Sequence, residues 1–232
     1  MMFHIFIKYA IIKKEQFFKG LIMHEFPFEL DEFQKDACNF ISEGKSVVVC
    51  APTGAGKTVI AQHAIHKALE EGKRVFYTTP LKALSNQKFY DFGEKYGTDK
   101  VGLLTGDTSI NRGAQIVVMT TEVFRNMLYG TNFGAVADNM KDVKYVVLDE
   151  VHYMNDEQRG TVWEESIIYC PTNVQIIALS ATVANADELT DWINTVHSKT
   201  ELVNTDFRPV PLKFFYFDSS QPTKLLPLLT PS

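Results

Sequence analysis

An α/β protein, with a doubly wound and mainly parallel sheet carrying helices on both faces, is the fold class that the sequence predicts. Two observations predict it. Residues 46–50 (SVVVC), 74–78 (RVFYT), 115–119 (QIVVM), 145–148 (YVVL) and 175–179 (QIIAL) are short, rich in β-branched residues and apolar throughout. Unbroken apolar runs of this length suit strands buried on both faces, as in a parallel sheet. Helix-like stretches separate them, and strand–helix alternation builds layered α/β folds.

Taken in order, residues 1–25 form an apolar and basic extension, with Lys8, Lys13, Lys14 and Lys19 against Glu15 and Glu25. The extension lacks the long apolar stretch and small-residue cleavage site of a secretory signal. It also contains neither the Arg nor the Ser of an organelle transit peptide. Met23 reads as the natural initiator. Asp31 is a good N-cap for a helix running to about Ser42. Residues 57–71 place Ile60, Ala61, Ala64, Ile65, Ala68 and Leu69 at helical spacing and stop at Gly72. Two more helices, 81–96 and 121–129, stop at Gly97 and Gly130. The body therefore covers residues 26–217. Residues 218–232 carry three prolines, which predict a frayed tail without regular structure.

Composition excludes several classes. Hydrophobic residues make up 45% and charged residues 22%, which excludes a wholly disordered chain. No apolar run is long enough for a membrane helix; the run from Ile5 to Ile12 is broken by Lys8. Cys38, Cys50 and Cys170 are scattered and form no C-x-x-C pair. They read as reduced thiols of a cytoplasmic protein, an organelle staying open while residues 1–25 are unassigned. The net charge of −5 makes no global case for nucleic acid or anionic membranes, so any nucleic-acid reading needs local motifs.

The strongest of these motifs is Ala51-Pro52-Thr53-Gly54-Ala55-Gly56-Lys57-Thr58. It follows a strand and opens a helix, the context that a phosphate-binding loop requires. Glycines at 54 and 56 let backbone N–H groups close around phosphate oxygens at a helix N-terminus. Lys57 can reach the β- and γ-phosphates, and the Thr58 hydroxyl can ligate Mg²⁺. Ala51 stands where the general pattern has Gly, which requires φ to stay negative there. Asp149-Glu150-Val151-His152 follows the YVVL strand. Lying beside the strand that feeds the loop, that strand would present Asp149 to the metal and Glu150 to an attacking water. Two adjacent carboxylates alone describe a solvated strand end; the phosphate loop on the same chain favours the functional reading. Ser180-Ala181-Thr182 follows the QIIAL strand. It either caps a turn or relays nucleotide state to a neighbouring domain. His63 and His66 flank one helix face rather than ligate.

These pieces together resemble the first RecA-like domain of superfamily-two helicases, and most closely the superkiller-type DExH-box RNA helicases. The match runs from about Phe26 to Leu212. Residues 26–34 (FPFELDEFQ) look like the family's adenine-recognition segment, which implies that Phe28 stacks on adenine and Gln34 bonds its edge. Residues 79–87 (TPLKALSNQ) look like motif Ia, Thr105-Gly106-Asp107 like Ib, and Met119-Thr120-Thr121-Glu122 like Ic. In the family these line a single-strand channel, which implies Pro80, Lys82, Gly106 and Thr121 as nucleic-acid contacts. The most branch-specific stretch runs from Asp149 through Arg159-Gly160-Thr161-Val162-Trp163-Glu164-Glu165, and residues 207–212 (FRPVPL) are similar to the family's domain exit. In the family the equivalent of His152 links the γ-phosphate site to RNA and the second domain; Ser180 and Thr182 take the coupling role. Trp163 reads as core, Glu164 and Glu165 as helix surface.

The resemblance implies ATP and Mg²⁺ as cofactors, single-stranded RNA rather than DNA as partner, and an RNA-degradation complex as a wider one. It also implies a second RecA-like domain, in cis or in trans. That domain's Q-x-x-G-R-x-G-R-like arginine motif does not occur here. An arginine finger is worth roughly 10³–10⁵ in rate, so the chain alone is expected to bind nucleotide and hydrolyse it barely. It reads as a fragment, a truncated gene product or a split-helicase subunit, with a catalytically silent nucleotide-binding adaptor as the alternative. A GTPase would need N-K-x-D and a transporter ATPase L-S-G-G-Q; neither is present.

Overall fold

The computed structural model describes residues 26–130, 136–210, 215–217 and 225–227. The reading of residues 1–25 as an extension lies outside them. The order is α1 (Glu32–Ser42), β1 (Ser46–Cys50), α2 (Thr58–Glu70), β2 (Arg74–Thr79), α3 (Lys82–Tyr96), β3 (Val101–Leu104), β4 (Ser109–Ile110), β5 (Ile116–Thr120), α4 (Thr121–Leu128), α5 (Val136–Asn139), β6 (Val143–Leu148), a 3₁₀ turn (Val151–Asn155), α6 (Gly160–Ile168), β7 (Gln175–Ser180), α7 (Ala186–Val196), β8 (Thr200–Asn204), β9 (Phe215–Phe217) and β10 (Leu225–Pro227).

One eight-stranded sheet runs in the order β4-β3-β5-β2-β6-β7-β1-β8. Every pairing in it is parallel except β3 with β4. The expected doubly wound α/β class is borne out, and the alternation of side chains along each strand explains it. Val48, Phe76, Val117, Val146 and Ile176 point to a face covered by Phe124, Met127, Trp163, Ile167 and Ile193 of α4, α6 and α7. Val47, Val75, Val118, Val147 and Ile177 point to the opposite face, covered by Ala37, Ile41, Ile60, Ala64, Ile65 and Phe92 of α1, α2 and α3. β1 and β5 are therefore buried at every position, with a polar residue only at one end of each, Ser46 and Thr120.

Helix ends follow local chemistry. The Asp31 N–H donates to Gln34 Oε1 at 3.0 Å, tying the first turn of α1 to its cap. Gly97 after α3 takes φ +98° and Gly130 after α4 takes φ +66°, the left-handed stops that the sequence implies. The tail departs from expectation. Leu225–Pro227 pairs antiparallel with Phe215–Phe217, because a proline is tolerated at the end of an edge strand. No helix among the described residues is long and apolar enough to cross a membrane.

A buried histidine seals the far end of α7. His197 is 8% exposed; its Nε2 lies 3.2 Å from the Pro171 carbonyl and its Nδ1 2.8 Å from Ser198 Oγ. Burial lowers its pKa. Between that value and the unfolded value of about 6.5, the unfolded chain binds the extra proton. This site's contribution to stability therefore falls as pH drops below about 6.5 and is constant above it. The melting temperature of His197→Gln is expected to gain on wild type between about pH 7.5 and pH 5.5; a constant difference would refute this.

Candidate active site

The C-terminal ends of β1, β7 and β6 carry the three predicted motifs side by side. The sequence reading placed the carboxylate strand directly beside β1. The structure corrects this: β7 lies between β6 and β1, so Ser180 and Ala181 stand between the phosphate loop and the carboxylates. Doubly wound sheets place ligands at this edge.

The loop leaves β1 and turns into α2 through Gly54 (φ +82°) and Gly56 (φ +89°), conformations in which any Cβ is strained. Among the described residues the non-glycine residues at positive φ are Asn111, Asp142 and Glu150, so Ala51 keeps to ordinary backbone as its side chain requires. Lys57 Nζ folds back over the loop and donates to the carbonyls of Ala51 (2.7 Å) and Pro52 (3.1 Å). Burial lowers its pKa, against the opposing pull of Glu150 and Asp149. A partly desolvated ammonium gains more than an exposed one from an added anion. Arg208 Nη1 donates to the Thr53 carbonyl at 3.0 Å, and the Thr205 N–H donates to Cys50 O at 2.9 Å. The segment leaving β8 thus runs along the loop.

Gln34 is 4% exposed. Its Oε1 holds the helix cap as described, and its Nε2 reaches the carbonyls of Gly56 (3.3 Å) and Ala55 (3.5 Å). In this state the amide ties α1 to the phosphate loop. Phe28 is 52% exposed, with its ring 5.7 Å from that of Phe26, so it offers an open aromatic face.

Asp149 is fixed from three directions. Its N–H donates to Thr78 O at 3.0 Å, Tyr77 Oη donates to its Oδ2 at 2.5 Å, and its Oδ1 accepts the Glu150 N–H at 3.0 Å. Tyr77 lies fully inside the sheet, and burial together with the Asp149 charge pushes its pKa well up. It remains a donor. Glu150 sits at φ +56°, a left-handed conformation that costs a non-glycine residue roughly 1–3 kcal/mol and clusters at functional sites.

His152 Nδ1 lies 3.3 Å from Glu150 Oε2 and 3.4 Å from the Ala181 N–H. One ring nitrogen cannot donate to a carboxylate and accept from an amide at once. With no hydrogen on Nδ1 the ring accepts from Ala181; with a hydrogen there it donates to Glu150. The Ser180 carbonyl in turn accepts the Ala51 N–H at 3.2 Å. A continuous chain of contacts therefore runs from Glu150 through His152 and the β7 turn to the phosphate loop. Thr182 is exposed.

Thr58 and Asp149 present only oxygen, the donor set that suits a hard cation such as Mg²⁺. The left-handed glycines and the oxygen donors fit the implied Mg²⁺–nucleotide. Among the described residues no group of three or more His, Cys, Asp and Glu could hold another metal.

The implied nucleic-acid residues lie at the ends of the adjacent strands β3, β5 and β2, but they are not equally available. Lys82 and Gly106 are exposed. Lys82 is ion-paired with Asp107, which also accepts from Thr105 Oγ1 at 2.9 Å. Pro80 and Thr121 are buried. The Thr121 hydroxyl donates to Thr79 O at 3.2 Å, so it closes the sheet edge instead of facing a strand. The Pro80 carbonyl accepts Arg159 Nη2 at 2.7 Å, and the same guanidinium pairs with Glu122. Arg159 thus ties the start of α6 to both loops. Trp163 is fully buried, as expected; Glu164 is exposed, while Glu165 pairs with Arg125 at 3.3 Å. His63 bonds Ser42 at 3.0 Å and His66 bonds Tyr96 at 3.1 Å, both structural.

Sequence reasoning missed Tyr77, Lys88 and Arg208. Tyr77 had a signal: a tyrosine inside an otherwise apolar buried strand needs a partner for its hydroxyl. Lys88 and Arg208 had none, because their contacts join segments distant in the chain.

A phosphate loop on this sheet defines a phosphate-loop α/β domain of RecA-like fold. The chain belongs to the DEAD/DEAH box helicase family, whose profile matches residues 31–189. It is 55% identical over 205 residues to the DExH-box ATP-dependent RNA helicase DExH15, chloroplastic, of Arabidopsis thaliana, covering 88% of this chain and 17% of that protein. It is 50% identical over 188 residues to the antiviral helicase SKI2 of Saccharomyces cerevisiae, covering 81% of this chain and 14% of that protein. The superkiller-type resemblance is thereby borne out. Among solved structures it superposes on the Mycobacterium smegmatis helicase Lhr bound to ssDNA and AMP-PNP with a TM-score of 0.59 and 28% identity, covering 75% of this chain and 25% of that one. The chain spans between 14% and 20% of the length of the curated relatives it matches.

Proposed function

We propose that residues 26–217 form the ATP-binding RecA-like domain of an ATP-dependent RNA helicase, in which hydrolysis is coupled to movement along or unwinding of single-stranded RNA. The supporting observation is the single C-terminal sheet edge. Nucleotide motifs occupy its β6-β7-β1 half, and the loops implied in strand binding occupy its β3-β5-β2 half. Lys57 and the loop N–H groups bind phosphate, Thr58 and Asp149 hold Mg²⁺, and Glu150 accepts a proton from the attacking water. Bound Mg²⁺ supplies charge neutralisation at the transferring phosphoryl group. His152 passes the state of Glu150 to Ala181, next to Ser180 and Thr182, and Arg159 links the same region to Pro80 and Glu122. RNA in preference to DNA is supported by the name of the DExH15 relative, and an RNA-degradation complex by the superkiller-type resemblance. A second RecA-like domain completes the site with its arginines. Lys57, Thr58, Asp149 and Glu150 are all in place, so nothing favours the silent adaptor.

Nucleotide titrations test the reading. The chain is expected to bind ATP and ADP with Mg²⁺ in preference to GTP. Gln34 has two separable roles, tether and adenine reader. Gln34→Ala is expected to lower the ratio of ATP to GTP affinity, because exchanging its internal bonds for the base edge is what discriminates. Equal ATP and GTP affinity in wild type would overturn the adenine assignment. A parallel loss of both affinities in the variant would reduce Gln34 to a tether.

A further inference from the structure

Lys88 lies in the second turn of α3 and is half-buried. Its Nζ donates to Thr58 Oγ1 at 3.3 Å and stands 5.8 Å from the centroid of the Tyr77 ring. Tyr77 in turn holds Asp149 Oδ2. This one ammonium therefore touches one of the two side chains placed on Mg²⁺ and rests on the aromatic support of the other. No ion pair among the described residues includes Lys88. A half-buried cation that leans on a hydroxyl and an aromatic face has unmet demand for negative charge.

Resting on the phosphate-loop reading above, we propose that Lys88 is a built-in cation of the metal subsite. It holds the Thr58 hydroxyl while no divalent ion is there, supports metal-free binding of nucleotide phosphate, and has to leave the hydroxyl before Mg²⁺ can take it. The reasoning is electrostatic. The oxygen that ligates a divalent ion cannot keep an ammonium at hydrogen-bond distance, since the two cations repel strongly at a few ångströms in a partly desolvated site. A lysine on a flexible four-carbon stem can withdraw. Until it does, its charge stands beside the hydroxyl that would hold the metal.

The consequence is a trade. Lys88 strengthens binding without metal and raises the Mg²⁺ concentration needed to convert the site to its metal-bound form. The experiment is a fluorescence titration of the full chain with N-methylanthraniloyl-ADP, first in EDTA and then across a MgCl₂ series. Wild type, Lys88→Met, Lys88→Gln and Lys88→Arg are compared, and circular dichroism monitors folding. Losing one charge-assisted contact to phosphate is expected to weaken the EDTA affinity of Lys88→Met about tenfold. The same variant is expected to reach half-maximal Mg²⁺ response at a lower Mg²⁺ concentration than wild type. Lys88→Arg should keep the EDTA affinity, and Lys88→Gln repeats the test should the methionine variant misfold. Equal factors of loss in EDTA and in Mg²⁺, or no change in either, would overturn the proposal while leaving the phosphate loop intact. Failure of wild type to bind under both conditions would remove the phosphate-loop reading and Lys88's role with it.

Discussion

Lys57→Ala is expected to abolish tight binding of ATP and ADP by this chain while leaving the fold intact. Two losses combine. The ammonium that would meet the β- and γ-phosphates disappears, and the Ala51 carbonyl, now held by Nζ at 2.7 Å, loses that donor beside an anion, while the Pro52 carbonyl, at 3.1 Å from Nζ, keeps the Ala55 N–H at 3.1 Å. Hydrogen bonds to charged groups are worth about 1.5–3 kcal/mol each, so losing the ammonium's contacts to the two terminal phosphates costs at least about a hundredfold in ATP affinity. Stability should change little, because burial already penalises the charged ammonium. Calorimetric titration with MgADP, paired with a melting curve, reads both. An alanine variant that bound MgADP as tightly as wild type would place the phosphate elsewhere.

The elements that the sequence predicts well are those whose local pattern and tertiary role agree. Five central strands are apolar on both faces, so composition alone marks them. β8 is legible only afterwards. As an edge strand it buries only Thr200 and Val203, so TELVN shows no apolar run. β3 hides for another reason: its VGLL contains a glycine, which reads as a turn. Helix α6 begins with Gly-Thr-Val and has polar residues interleaved, and its assignment depends on Trp163 and Ile167 packing across the sheet.

In the site the residues were legible and their arrangement was not. Strand order is a tertiary property. No local pattern says that β7 enters between β6 and β1, and that insertion makes the Ser180-Ala181 backbone the link between Ala51 and His152. The same limit applies to Thr121 and Gln34. Both have polar side chains suited to a ligand, and both spend those groups inside the protein in this state. Burial is decided by neighbours far along the chain, so polarity alone overstates availability.

Glu150→Gln should separate binding from chemistry. The residue is held at φ +56° with its N–H on Asp149 Oδ1, and neither restraint involves its carboxylate, so the amide should occupy the same place. Its Oε2 faces His152 Nδ1 at 3.3 Å; an amide offers both a donor and an acceptor and can keep the contact. What vanishes is the proton acceptor, and general-base catalysis contributes about 10²–10⁴ in rate. Removing one negative charge beside the triphosphate should also tighten ATP binding slightly. Turnover by the chain alone is expected to be too slow to show the contrast. The comparison therefore needs a fusion that adds a second RecA-like domain from a related helicase. In that fusion wild type should gain RNA-stimulated ATPase activity, Lys57→Ala should neither bind nor turn over, and Glu150→Gln should bind ATP without turnover. RNA-stimulated hydrolysis by Glu150→Gln at the wild-type rate would move the general base to another residue, leaving Glu150 as a strained support for His152.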